Sequence, residues 1–252
     1  MVFPRSAEAL DDYRQRLTRP RFGPGRRLTV EFEMDPEQYA SLLPPLMEPV
    51  EGCSAVAGIG EWESNCLGPY RGGSISLIAS YRGVVGGVAL NMWMDSEAAV
   101  QFGRDVLGEP KKLASAGFTL SGDRAHAWVE RRGTRILELE GDLGPDLGPS
   151  TSDRFSYNYR SRQSVDGFHL VDPVILTRTT FSTRVSSQRC GNGSVVLRST
   201  PHDPLGEIIV RRVLAIEYQE HDILAKTEAV GEVSGDIYLP FHFGRQDDVA
   251  AL

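Results

Sequence analysis

Gly108-Glu109-Pro110-Lys111-Lys112-Leu113-Ala114 is the stretch on which the reading of this chain turns. Among 252 residues lysine occurs three times and arginine twenty-four times, and two of the three lysines stand side by side here. Lysine offers what arginine cannot: an amine that loses its proton when buried or crowded by another cation. A neutral amine attacks a carbonyl carbon and forms a Schiff base. Pro110 fixes the backbone ahead of the pair, and Leu113-Ala114 turns the chain from polar to apolar. Glu109 lies two residues before Lys111, so on an extended segment both side chains point the same way. A carboxylate there serves as acid or base for imine formation, or else is a loop carboxylate paired with an arginine. Neighbouring strand residues face opposite sides, so the two ammonium groups need not meet.

The pattern on either side of the lysines predicts a chain made mostly of strands. Ala7, Leu10, Tyr13 and Leu17 recur at helical spacing over 7–18. Leu28 to Met34 alternates as a strand, and Asp35-Pro36-Glu37 starts a helix with Asp35 as cap, which stops before Pro44-Pro45. Strands are expected at 55–61, 73–81 and 84–94, the last two joined by a tight reversal at Arg82-Gly83. A helix over 96–106 is capped by Asp95 or Ser96 and ended by Gly108, so that the lysines enter a strand over 111–116. Strands at 118–120, 125–131 and 135–141 lead to a Gly-, Pro- and Asp-rich loop over 141–150. Further strands are expected at 156–160, 174–187, 194–198, 208–217 and 223–238, with Asn192-Gly193 read as a hairpin turn.

Composition narrows the function. The formal charge is -7, which argues against nucleic acid as a partner. No apolar run reaches the ~18 residues of a membrane span. The first residues lack the apolar core of a secretory signal. Three cysteines without CxxC spacing (Cys53, Cys66, Cys190) read as reduced thiols of a cytoplasmic protein. Five widely spaced histidines give no metal motif, and neither a phosphate-binding glycine loop nor Gly-x-Ser-x-Gly occurs. No metal and no cofactor are expected.

The stretch from Gly103 to Leu113 (GRDVLGEPKKL) resembles the active-site segment of the acetoacetate decarboxylase family. Leu42-Leu43-Pro44-Pro45, Leu67-Gly68-Pro69-Tyr70, Met94-Asp95-Ser96-Glu97-Ala98-Ala99 and Gly235-Asp236-Ile237-Tyr238-Leu239-Pro240 resemble further family segments in the same order. The similarity runs from about residue 25 to 245. It implies an α+β fold, mainly antiparallel β: a closed barrel with a flanking sheet and a few helices, its interior holding the lysine in a dry site. It also implies an N-terminal helix or arm over 1–24, one domain over 25–252, and a homo-oligomer. Lys111 would be the Schiff-base nucleophile, with Lys112 and Glu109 beside it.

Departures from the family pattern bear on the reaction. Decarboxylating members carry Tyr-x-Glu where this chain has Tyr70-Arg71-Gly72. A second glutamate, expected near Ala57 or Gly58, is absent, with Glu61 and Glu63 the nearest carboxylates. The family's early arginine corresponds to Arg26 or Arg27, and Arg27 is carried forward as the candidate. A protonated imine accepts the electron pair left by carbon dioxide or by an α-proton. The aldol route wants a cation for the substrate carboxylate and a base for the α-proton. Arg71 is a candidate clamp, and Gly72 is expected to leave room for a larger substrate. Tyr70, Tyr81, Trp93 and Met94 are candidate substrate contacts, with ordinary core packing the alternative for each. The favoured expectation is therefore a lyase performing aldol condensation and dehydration with a small 2-oxo acid. A β-keto acid decarboxylase and a non-catalytic ligand-binding barrel are the other two.

Overall fold

The computed structural model describes residues 4–247. Helix α1 (Ala7–Thr18), capped by the Ser6 hydroxyl, leads into strand β1 (Arg21–Met34). That strand therefore begins inside the span expected to be an arm. Asp35 caps helix α2 (Pro36–Leu42) by accepting from the amides of Glu37 and Gln38. Then come β2 (Glu48–Pro49), β3 (Ser54–Ser64), β4 (Tyr70–Tyr81) and β5 (Val84–Met94). Arg82 and Gly83 both take positive φ, 52° and 76°, which is the two-residue turn that a right-twisted hairpin requires. Helix α3 (Glu97–Phe102), capped by Ser96, runs on into a π-helical turn over Gly103–Leu107. Strands β6 (Lys111–Leu113), β7 (Ser115–Ser121), β8 (Arg124–Arg131), β9 (Thr134–Asp146), β10 (Ser150–Arg160) and β11 (Val174–Leu197) follow. A small hairpin, β12 (Ser199–Thr200) with β13 (Asp203–Pro204), precedes the long strand β14 (Val210–Val233) and helix α4 (Gly235–Gly244).

Seven strands close a barrel in the order β10-β5-β4-β3-β1-β14-β11, with β11 pairing back onto β10. The second half of β11 leaves the barrel and pairs with β9, which continues through β8 to β7 as a flanking sheet. Alternation along each barrel strand sorts the side chains. Leu28, Val30 and Phe32 of β1, Ala55, Ala57 and Ile59 of β3, and Ile75 and Leu77 of β4 face outward, fully buried against Phe118, Val129, Leu137 and Leu139 of the flanking sheet. The main apolar core thus lies outside the barrel wall, at ~1.5–3 kcal/mol for each large side chain buried. The barrel interior is free to be polar. Among the described residues no helix is long and apolar enough to cross a membrane.

Three local expectations are corrected. The loop expected over 141–150 is mostly strand: β9 runs to Asp146 and β10 starts at Ser150. Asn192-Gly193 is not a turn but the middle of β11, where Asn192 pairs with Asp142 and Gly193 with Gly141. Glycine is required there by close approach, since a Cβ at Gly193 would collide with the Glu140 carbonyl and with Ile216. Finally, the strand expected over 223–238 ends at Val233, and Gly235–Gly244 is helix. Asp172, sixty-three residues upstream, accepts from the Gly235 amide at 2.5 Å and so ties down the first turn of α4.

Candidate active site

Lys111 is brought into the barrel by a short parallel pairing. Met92↔Lys111 joins β5 to β6, and the register continues Met92↔Ser74, Ser74↔Gly58 and Gly58↔Thr29 across β4, β3 and β1. Those residues all face one chamber of about 260 Å³, together with Arg27, Trp62, Tyr70, Met94, Glu109, Arg154, Ser156 and Thr183. The segment before the lysine is held at several points. Gly108 ends the π-turn at φ 78°, and a Cβ there would come 2.5 Å from the Arg160 amide nitrogen. The Thr177 hydroxyl donates to the Leu107 carbonyl at 2.7 Å, and the half-buried Arg245 guanidinium donates to the Gly108 carbonyl. Gly103 leaves room for the lysine: a Cβ there would collide with Lys111 Cδ and lie 2.7 Å from Glu109 Oε2.

Among the described residues the amine has one ionic partner. Lys111 Nζ lies 2.7 Å from Glu109 Oε2, with both side chains almost wholly buried. The contact is off the line of a hydrogen bond, and Glu109 Oε2 accepts from no donor. Lys112 points the other way. Its Nζ donates to the His202 carbonyl at 2.9 Å and to Asp203 Oδ1 at 3.0 Å, and lies 3.5 Å from Asp247. Arg131 binds both of those carboxylates. Glu109 and Lys111 therefore share the chamber face, while Lys112 belongs to a buried network under the flanking sheet.

Arg27 is the chamber cation without a carboxylate. Its guanidinium donates to the Gln219 side chain at 3.2 Å and forms no ion pair among the described residues. Burial first, then the charge of Arg154, lowers its pKa to about 10, so it remains a cation at neutral pH. Arg154 by contrast reaches Glu217 at 3.4 Å. Burial, reinforced by the charge on Glu109, pushes the Tyr70 phenol well up, which keeps it a proton-bearing donor near the lysine pair.

The remaining candidates divide. Met94 lines the chamber, yet its sulfur would lie 2.5 Å from a Cβ on Gly72, so the space expected at Gly72 is filled by Met94. Arg71 is half exposed, bound to Glu61 at 3.2 Å, and lines an outer vestibule of about 770 Å³ rather than the chamber. Trp93 faces the outer core and donates to Asp203 at 3.2 Å. Tyr81 donates to the Val230 carbonyl at 3.0 Å and packs edge-on against Tyr157. Neither reaches the chamber, because both sit at outward positions of their strands. Sequence reasoning missed Arg154, Thr29, Ser74, Ser156 and Thr183. The inward serines of β4 carried a signal, a polar residue at alternate positions of an otherwise apolar strand. Arg154 carried none, since it lay just outside the expected strand.

A sequence model described as acetoacetate decarboxylase matches residues 9–233. An acetoacetate decarboxylase of Burkholderia vietnamiensis is 31% identical over 238 residues, covering 87% of this chain and 93% of the relative. A CLA biosynthesis isomerase of Lactiplantibacillus plantarum is 26% identical over 254 residues, covering 91% and 89%. Among solved structures, the acetoacetate decarboxylase of Legionella pneumophila superimposes with a TM-score of 0.77 at 20% identity, over 92% of this chain and 93% of that one. The enduracididine biosynthesis enzyme MppR, complexed with the condensation product of pyruvate and imidazole 4-carboxaldehyde, gives 0.72 at 16% identity, over 84% and 88%. With its barrel, its inward lysine and a match over most of its length, this chain belongs to the acetoacetate decarboxylase family.

Proposed function

We propose that this chain is a Schiff-base enzyme that uses Lys111 on a small 2-oxo acid in aldol condensation followed by dehydration. The observation that carries the reading is the charge pattern of the chamber. Lys111 is matched by Glu109, and Arg154 by Glu217 at the chamber's edge; Arg27 feels Glu217 only at longer range, forms no ion pair among the described residues, and is left for an anion from outside. A substrate carboxylate completes that set.

The steps balance with these residues. Glu109 takes a proton from the Lys111 ammonium, and the freed lone pair forms a C–N bond to the ketone carbon. The carbinolamine hydroxyl leaves as water with the proton returned by Glu109, which gives the protonated imine and a carboxylate again. Glu109 then removes an α-proton, and the C–H electrons become the enamine double bond. The enamine carbon attacks an aldehyde, and a proton from Glu109 neutralises the new alkoxide. Glu109 then removes the remaining α-proton, the resulting enamine expels the hydroxyl, which takes that proton from Glu109 and leaves as water, and hydrolysis of the imine frees Lys111 and an unsaturated oxo acid.

Decarboxylation is the second reading, favoured by the relatives that carry that name. There the same imine accepts the electron pair left by carbon dioxide. A cation holding the carboxylate opposes this route, because it stabilises the group that must leave. Borohydride treatment with pyruvate and with acetoacetate, followed by intact mass and peptide mapping, tests both. A reduced adduct on Lys111 with pyruvate and no carbon dioxide release from acetoacetate supports the aldol reading. Carbon dioxide release favours decarboxylation. No adduct with either removes the Schiff base from the proposal.

A further inference from the structure

Among the described residues, Trp62 and Tyr70 are the two that line both the Lys111 chamber and the outer vestibule. They form one aromatic wall, with rings 5.4 Å apart and inclined at 26°. The indole is fixed in place. Its Nε1 donates to His221 Nε2 at 3.0 Å, so the buried imidazole acts as the acceptor. Backbone supports it at both ends: a Cβ on Gly25 would come 2.5 Å from Cδ1, and one on Gly60 would come 3.0 Å from Cη2. A side chain at either glycine would push the ring out of the wall.

We infer that Trp62 is a specificity-determining residue whose indole, backed by Tyr70, limits what reaches Lys111 to small keto acids. The chamber behind it, at about 260 Å³, is smaller than the ~300–1,000 Å³ of a typical pocket for a drug-sized ligand. The space in front is about 770 Å³. Removing the indole joins the two, so a keto acid with a bulky group beyond its ketone gains a place for that group. For reactive substrates the inference rests on Lys111 as the nucleophile. The wall itself is a matter of shape, and carboxylates without a ketone probe it separately.

Titration of the wild type, Trp62→Ala and Trp62→Leu with propionate and with 4-phenylbutanoate tests the wall. The wild type is expected to favour propionate. Both variants are expected to raise the affinity for 4-phenylbutanoate relative to propionate by at least about tenfold. Trp62→Leu keeps an apolar side chain at the position, and a thermal melt identifies a variant that has failed to fold. An unchanged ratio in the folded variants overturns the inference. So does equal binding of both anions by the wild type, or binding of neither by any of the three proteins. Borohydride trapping with pyruvate and 2-oxo-4-phenylbutanoate follows. A bulky adduct confined to the variants supports the wall. Absence of every adduct, beside a shifted titration ratio, counts against Lys111 chemistry and leaves the wall standing.

Discussion

Lys111 and Lys112 are neighbours on one short strand, and their side chains are equally hidden, 5% and 4% accessible. What separates them is company. Lys112 donates to two acceptors, from His202 and Asp203, and has the Asp247 carboxylate as a further ionic neighbour. Lys111 finds a single carboxylate, poorly aligned, and an open chamber. Depth alone therefore does not distinguish the proposed nucleophile from its neighbour. A buried lysine enclosed by acceptors holds two elements together, and one with a single partner and free space beside it has a nitrogen that a substrate can approach. The one-residue alternation of a strand is enough to produce both from the same pair.

The largest expected effect breaks this comparison directly. Lys111→Arg keeps a cation beside Glu109 and removes the proposed nucleophile, so turnover is expected to fall by at least about a thousandfold with loss of the trapped adduct. Lys112→Met leaves Asp203 buried with Arg131 still beside it, and the expected cost is roughly 1.5–3 kcal/mol of stability. Its adduct, in whatever fraction remains folded, is expected still to map to Lys111. Intact mass and thermal melts on the two variants read both quantities. An adduct that survives in Lys111→Arg, or one that migrates to Lys112, would reverse the assignment.

Arg27 extends the contrast from amines to guanidiniums. Arg154 pairs with Glu217, whereas Arg27, which feels that charge at longer range, hydrogen-bonds a neutral amide and forms no ion pair among the described residues. Arg27→Met is expected to raise KM for a 2-oxo acid by about tenfold to a hundredfold, the loss of one charge-assisted hydrogen bond, with a smaller change in kcat. Steady-state kinetics decide it. A fall in kcat with KM unchanged would mean that Arg27 acts on the transition state rather than as a carboxylate anchor.

These contrasts were partly legible in the sequence. Glu109 and Lys111 two residues apart on an extended segment placed both on one face, and Ser96 and Gly108 bounded the helix that delivers them. Strand alternation, applied to Trp93 and Tyr81, would have turned both away from the chamber once the inward row through Met92, Ser74 and Gly58 was known. That row depends on which strands pair, and pairing is long-range information. The same limit explains α4, whose first turn is bound by Asp172, and Asn192-Gly193, whose glycine answers to a strand crossing it from outside the local sequence. Local pattern reported faces; it did not report neighbours.

Two histidines carry the comparison into pH. His221, behind the Trp62 indole on the vestibule side, is buried, and His242, on α4, is half-buried; desolvation followed by nearby arginine charge lowers each to about 4. Both are lowered relative to the unfolded value near 6.5, so the fold favours the neutral ring. The stability they contribute is present above pH 6.5 and is lost as pH falls from there toward 4, by roughly 1–3 kcal/mol for each. Glu138 and Asp247, held low by arginines, add their own loss only further down. Melts from pH 7 to 4 on the wild type and on His242→Phe should show a shallower fall in the variant. Parallel curves would mean that His242 has no part in the loss.

The smallest expected effect concerns Arg71, the clamp that the sequence suggested. Its side chain is 54% accessible and tied to Glu61 in the vestibule, where solvent screens the pair. Exposed pairs of this kind contribute about 0–1 kcal/mol, so Arg71→Ala is expected to change KM less than about fivefold and the melting temperature hardly at all. The comparison with Arg27 is the informative one, because the two arginines differ in which side of the Trp62–Tyr70 wall they occupy. If Arg71→Ala were to raise KM as much as Arg27→Met does, the substrate carboxylate would lie in the vestibule. The ketone would then have to reach Lys111 past the indole, and the inner chamber would lose its role as the anion's site.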